Sequence, residues 1–400
     1  MLLVKIFDIY EVIYMKTMVP YYYKDFKCIA SKCTDTCCAG WEIIIDDETY
    51  KQYKNVPGEF GERLKSNLKL YEDDAPGFVL QNNNCPFLNK NNLCDIYTEL
   101  GENSLCYTCR TFPRIIEEYG SIREIGISLS CPEAARLILQ DSRQMTFEFS
   151  EDGEMVSTCD DIFFDTYIQL ISSRKIALDI LQNPSIDLNH RIALLISFAH
   201  DIQEKINEYK LSEIADITNK YSKEDYQKEL INIFDKYKIK QRDKYHNMLK
   251  CMNIYKNLDS INDNWSKIIE HAINCFHKTD DINFYQKQYD DFNEYYKNKT
   301  YEFEHLLVYS VFRYFMKATY DDELYSKVRL TAMSYLIVKE LDVVRWIDNN
   351  YNFDLNDQID IMHMYSKEIE HCEENLYQLE EMFNTNKLFD LEQLLILIMN

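Results

Sequence analysis

Nine of the chain's 13 cysteines lie between Cys28 and Cys131, and no histidine does. Their spacing is Cys28-x4-Cys33-x3-Cys37-Cys38, then Cys85-x8-Cys94-x11-Cys106-x2-Cys109, then Cys131 after 21 further residues. Thiols held three or four residues apart converge on one ion through a tight loop. Soft thiolates suit Zn2+ or an iron–sulfur cluster, where Mg2+ and Ca2+ want oxygen. Without a local histidine such a site is all sulfur, as in four-thiolate zinc sites or a cubane cluster. The competing reading, buried cysteine as a small hydrophobe, suits one cysteine in a strand. Nine in short-spaced groups point to metal. Spacing alone leaves the metal open, structural zinc being the commoner fate of such clusters. The thiols also outnumber the needs of one site, so the remainder serve packing, a second site or redox exchange.

Three segments carry a family likeness: "PYYYKDFKCIASKCTDTCCAGWEIIID", "CPFLNKNNLCDIYTELGENSLCYTCRTFPR" and "SLSCPEAARLIL". They resemble the flagellin lysine-N-methylase family. The middle block is also similar to a broader zinc- and iron-chelating family marked by paired cysteines, "CPFL", "C-x-IY" and "CR-x-FP". The likeness is dense over residues 20–140; the rest of the chain follows it in position and character rather than by a sharp motif. It implies transfer of methyl groups from S-adenosyl-L-methionine to the ε-amine of flagellin lysines, with a [4Fe–4S] cluster taking part. On matching motif positions Cys28, Cys33, Cys37, Cys38, Cys85, Cys94, Cys109 and Cys131 inherit candidate ligand status. Cys106 is weaker, because the broader family typically has another residue there. Four of the eight suffice for a cubane, and the ordering favours Cys33, Cys37, Cys94 and Cys109. The likeness names no catalytic residue.

Arg110 and Arg114 flank "TFP" and fall near an anionic centre, where they compensate thiolate charge or hold a cofactor carboxylate. A surface ion pair is the plain alternative. Trp41 and the following Glu42–Asp46 read as a short strand packed behind the Cys37-Cys38 turn, with packing preferred over adenine stacking for the indole. Glu133 follows Cys131-Pro132 at a helix start, where an acid complements the dipole. His271, Cys275 and His277, and likewise His371-Cys372, read as ordinary helix residues. No G-x-G loop opens a Rossmann-type methyltransferase domain. The radical-enzyme spacing C-x3-C-x2-C is absent as well, since Cys38 directly follows Cys37.

These residues must be positioned by elements, and glycine and proline divide the chain. All eight glycines lie between Gly40 and Gly153, and six of seven prolines between Pro20 and Pro132. The expected fold is therefore mainly α: a loop-rich cysteine metal-binding module followed by a multi-helix domain. Residues 1–19 are set apart as an N-terminal extension, 20–150 as the module and 151–400 as the all-helical domain. Period-3.6 apolar spacing predicts helices over Ile162–Leu181, Asn189–Tyr209, Ser222 toward Leu258, Asn264–His277, Asn283–Ala318, Leu324–Ile347, Gln358–Met382 and Leu391–Met399.

The net charge of −23, from 67 acidic and 44 basic residues, repels phosphate backbones and argues against nucleic acid as a partner. No stretch approaches the ~18 consecutive apolar residues of a membrane span. The opening run lacks the basic start and cleavage site of a signal peptide. A cytoplasmic location follows, where thiols stay reduced and serve metals rather than disulfides. The leading expectation is an iron–sulfur-dependent lysine methyltransferase acting on flagellin. Its rivals are a zinc- or iron-chelating binding protein whose helices dock a partner, and a metal-stapled scaffold without catalysis.

Overall fold

The computed structural model describes residues 14–71, 74–155, 162–261, 264–278 and 280–400. Among the described residues six strands precede the first long helix: β1 (Tyr14–Pro20), β2 (Leu68–Leu70), β3 (Pro76–Phe78), β4 (Arg114–Tyr119), β5 (Ile122–Ile127) and β6 (Phe147–Met155), the last running five residues into the stretch expected to be all-helical. Four of them form a sheet in the order β4-β5-β1-β6, and β2 pairs with β3. The strand β1 runs parallel to β5 and antiparallel to β6. Residues 14–19, assigned above to an extension, are thus an interior strand of the sheet, with Met15, Met18 and Val19 buried. The β4–β5 hairpin turns at Gly120, whose φ of +59° only glycine adopts freely. The Glu42–Asp46 strand does not form. Ile44 makes one bridge to Gly77, and the three-residue β3 offers no longer partner beyond its pairing with β2.

The remainder is helical. The helix Leu324–Asp348 is buried nearly all round and packs against Leu188–Asn207 and Tyr301–Tyr314. A helix apolar on every face belongs in a core, and each fully buried large side chain there contributes ~1.5–3 kcal/mol. Other expected helices stand at Phe164–Leu181, Asn264–His277 and Leu391–Met399. Three long ones are broken. The helix expected from Ser222 stops at Phe234 and resumes at Gln241, across a polar run whose Asp235 turns to His190 and Lys238. Ile282–Tyr296 and Tyr301–Tyr314 are separate helices. Gln358–Met382 is divided by a π-helical turn, Ser366–Glu370, between Leu355–Tyr365 and Glu373–Thr385.

Two apolar cores divide the protein differently from its loops. Ile43, Ile45, Tyr53, Leu64, Phe78, Phe87 and Ile96 close a small core around the cysteines, which includes Cys85 and Cys106. Tyr22, Phe26, Tyr119, Ile127 and the helix Pro132–Leu139 belong to the large helical core. Glycine and proline mark where the chain turns, not which core it enters. A buried ion pair fastens the sheet to the helices: Arg174 Nη1 donates to Glu124 Oε2 at 2.7 Å, and Nη2 donates to the other oxygen.

Candidate metal centre

The cysteines reach one region from separate segments, each held by local hydrogen bonds. The Cys37-Cys38 turn is tied to the second block by the Cys85 N–H, which donates to the Cys38 carbonyl at 2.8 Å. Asn89 knits the loop between Cys85 and Cys94: its Oδ1 accepts from Asn91 N–H at 2.9 Å and Leu93 N–H at 3.1 Å. Cys94, Cys106 and Cys131 each stand at the N-cap of a helix, preceding Asp95–Leu100, Tyr107–Thr111 and Pro132–Leu139. Free N–H groups and the positive dipole end favour a thiolate there. The Asp46 carboxylate accepts from Thr49 N–H at 3.0 Å and from Tyr107 N–H at 2.8 Å, joining two of these segments.

Cys38 is central. Its thiol hydrogen-bonds to both Cys37 and Cys94, which raises its own pKa. The same bonds lower the partners: Cys37 falls, and Cys94 falls to about 7, helped against burial by the Tyr97 and Ile96 N–H groups. Cys109 stands in the same relation to Cys106, its thiol donating and the Cys106 thiol made more acidic. On one flank burial pushes Cys131 up to about 12, with Cys33 and Cys37 adding to the effect. On the other burial pushes Cys85 up to about 12, with Cys94, Cys106 and Cys37 as charged neighbours. Cys28 and Cys37 reach the surface, whereas Cys85 and Cys106 are buried.

The thiols are thus gathered in one region, each perturbing its neighbours. Among the described residues no set of three or more His, Cys, Asp or Glu side chains is already closed to coordinating geometry. In kind the donors fit a thiophilic metal: sulfur without competing oxygen, with backbone N–H groups near the sulfurs of Cys94 and Cys131. The triad Cys37, Cys38 and Cys94 includes Cys38, which the ordering from sequence passed over, and Cys106 is as much part of the assembly as Cys109. The signal for the N-cap placement is local, in Cys94-Asp95 and Cys131-Pro132-Glu133.

Arg110 and Arg114 are exposed, and the Arg114 guanidinium lies 5.4 Å from the Phe26 ring centroid. Glu133 pairs with Arg136 at 2.6 Å within the first turns of its helix. His271 meets Asp348 at 2.9 Å, and His277 packs on Tyr245. His371 differs from the ordinary helix residue expected. It ends the π-helical turn, its Nε2 lies 2.6 Å from Ser130 Oγ and 3.1 Å from Ser128 Oγ, and its ring stacks on Trp41. Burial, then Arg313, Lys367 and His363, depress its pKa to about 3, so the ring is neutral. Arg313 donates to Tyr309 Oη at 2.6 Å and forms an ion pair with Glu370 behind it.

The class defined by this arrangement is a thiol-rich module docked on a helical domain. Residues 174–397 match the family model described as the FliB lysine N-methylase C-terminal domain. Residues 27–127 match the model described as "Putative zinc- or iron-chelating domain". The chain belongs to the FliB lysine N-methylase family. It is 32% identical over 134 residues to the flagellar biosynthetic protein FliU of Salmonella muenchen, covering 32% of this chain and 78% of that protein. It is also 32% identical over 134 residues to the lysine-N-methylases of Salmonella choleraesuis (strain SC-B67) and Salmonella typhimurium (strain LT2), covering 32% of this chain and 33% of each. The aligned stretch therefore spans about a third of those two relatives. No solved structure matches the chain. Among the described residues, no helix is long and apolar enough to cross a membrane.

Proposed function

We propose that the protein methylates lysine side chains of flagellin in the cytoplasm, with S-adenosyl-L-methionine as methyl donor and a [4Fe–4S] cluster held by the cysteine module. The observation that carries this reading is the joining of gathered thiols to a helical domain of the lysine N-methylase family. Ligands are drawn from Cys28, Cys33, Cys37, Cys38, Cys85, Cys94, Cys109 and Cys131, with Cys37, Cys38 and Cys94 at the centre of the group. Four of these thiolates would hold the cluster, which when bound would supply a one-electron redox centre.

The chain's own residues have three tasks. The amine must lose its proton before its lone pair attacks the sulfonium methyl; the new N–C bond forms as the S–C bond breaks, and its electrons pass to sulfur. A desolvated pocket lowers the amine pKa toward that state. Arg110 and Arg114, exposed and on the segment that carries Cys109, would hold the cofactor carboxylate through their guanidinium groups. The clustered rings of Trp41, Phe112 and His371 exclude water where the module meets the helices.

The test is incubation of anaerobically purified protein with labelled S-adenosyl-L-methionine and flagellin, in iron-loaded and zinc-loaded forms of matched helicity. Label on flagellin lysines with the iron form alone is the expected result. Equal labelling by both forms makes the metal a scaffold. No labelling by either moves the reading to a chelating protein that docks a partner.

A further inference from the structure

The π-helical turn Ser366–Glu370 buries all five of its residues. A regular α-helix directs part of any such run outward; a widened turn redirects the extra side chain, and such turns gather at functional sites. Here the charged members are used on the cysteine side or beside it. Glu368 accepts from the Ile261 N–H at 2.8 Å, and Glu370 pairs with Arg313. Lys367 reaches into the first cysteine loop. Its ammonium donates to Asp35 Oδ2 at 2.5 Å and to the Thr36 carbonyl at 3.4 Å, and lies 5.0 Å from the Trp41 ring centroid.

Asp35 stands between Cys33 and Cys37, and His363, one turn before Lys367, meets the same carboxylate oxygen at 3.0 Å. The approach is close enough to require glycine at residue 40. Gly40 has φ +96°, and a Cβ there would fall 2.6 Å from Ile261 and 3.4 Å from the Lys367 side chain. Asn83 closes the other side, donating to the Ile261 carbonyl at 2.8 Å. The helical domain thus grips the loop that carries Cys33, Cys37 and Cys38 through a buried cation.

We infer that Lys367 is a positioning residue of the metal centre: from the helical domain it anchors the Cys33–Cys38 loop through its ion pair with Asp35. This rests on reading the thiols as metal ligands. The Asp35 ion pair fixes the place of the loop between Cys33 and Cys37, so metal retention depends on a residue outside the module.

The experiment uses the full chain loaded with Zn2+, and follows transfer of the metal to a chromophoric chelator at matched helicity. Lys367→Met is expected to weaken retention by about 10–100-fold, the usual cost of losing a partner that orients ligands. Lys367→Arg, which keeps the charge and the Asp35 pair, is expected to stay near wild type. Where the Met variant does not fold, Asp35→Asn leaves Lys367 in place without its anchor and must weaken retention in the same direction. Wild-type retention in Lys367→Met, or in Asp35→Asn where that variant stands in, overturns the inference while the metal reading stands. An Arg variant as weak as the Met variant likewise overturns the inference, because the Asp35 pair is then not what holds the loop. A wild-type chain that takes up neither Zn2+ nor iron overturns the metal reading itself, and the inference with it.

Discussion

The indole of Trp41 and the imidazole of His371 lie stacked, 5.1 Å between ring centroids and 25° between planes. One belongs to the cysteine loop and the other to the end of the π-helical turn, so this contact joins module to helices across 330 residues of sequence (371 minus 41). Aromatic pairs of this kind contribute about 0.5–1.5 kcal/mol beyond the area they bury. Trp41→Ala is expected to loosen the module from the helical wall, seen as faster amide exchange over residues 33–41 with the helix Leu324–Asp348 unchanged. Equal exchange in both proteins would show that the stack holds nothing.

The buried pair Glu124–Arg174 makes a second prediction. Their side chains are 5% and 9% exposed, so removing one partner strands the other charge away from water. Glu124→Ala is expected to cost about 3–5 kcal/mol in urea unfolding. The double replacement Glu124→Leu with Arg174→Met should recover most of that loss, because two apolar groups carry no desolvation penalty. A double variant no better than the single one would mean that shape, not charge, governs the site.

His190 sets a pH dependence. Burial disfavours its charged form, but hydrogen bonds and charge from Asp187 and Asp235 outweigh this and raise its pKa. The stabilisation is therefore complete below the ordinary imidazole value of about 6.5 and is lost as pH rises through the elevated folded value. Both carboxylates are lowered, Asp187 by His190 against burial and Asp235 chiefly by Lys238 and then His190. Their part is present above the ordinary carboxylate range and fades as pH falls through the folded values. The stability difference between wild type and His190→Asn should be largest near pH 5–6 and shrink toward pH 8.5, approximate bounds set by those ordinary values. A flat difference across that range contradicts the pairing.

Metal removal should act locally. The small core around Ile43, Tyr53, Phe78 and Phe87 is separate from the large helical core. Stripping metal with a chelator is expected to expose residues 85–109 to proteolysis while the helical content of residues 164–399 persists. Loss of both together would show that the two cores unfold as one.

Much of this was legible in the sequence. Short-spaced thiols identified the module, and apolar period located Leu324–Asp348 and Leu391–Met399 closely, because burial on every face or a dense apolar run leaves a strong local pattern. The strand Tyr14–Pro20 was missed because its partners, Ile122–Glu124 and Phe147–Met155, lie far along the chain. The π-helical turn was missed for a different reason: Ser366–Glu370 reads as polar helix surface, and only contact with Asp35, Ile261 and Arg313 makes it interior. The grouping of Cys38 with Cys94 depends on Cys85 N–H meeting the Cys38 carbonyl, a tertiary contact that spacing does not encode.

The position of Lys367 near the end of the chain bears on the order of assembly. During synthesis all nine thiols of the module leave the ribosome well before His363, Lys367 and His371 exist. At ~5–20 residues per second the interval is on the order of tens of seconds. Throughout it the Cys33–Cys38 loop lacks its cation and its stacking partner, and the thiols stand open to delivery of metal or to oxidation. Arrival of the π-helical turn then covers the loop. The segment His363–His371 acts as a closure on the Cys33–Cys38 loop, so a chain cut before it would retain all nine thiols of the module and still present an unsealed centre.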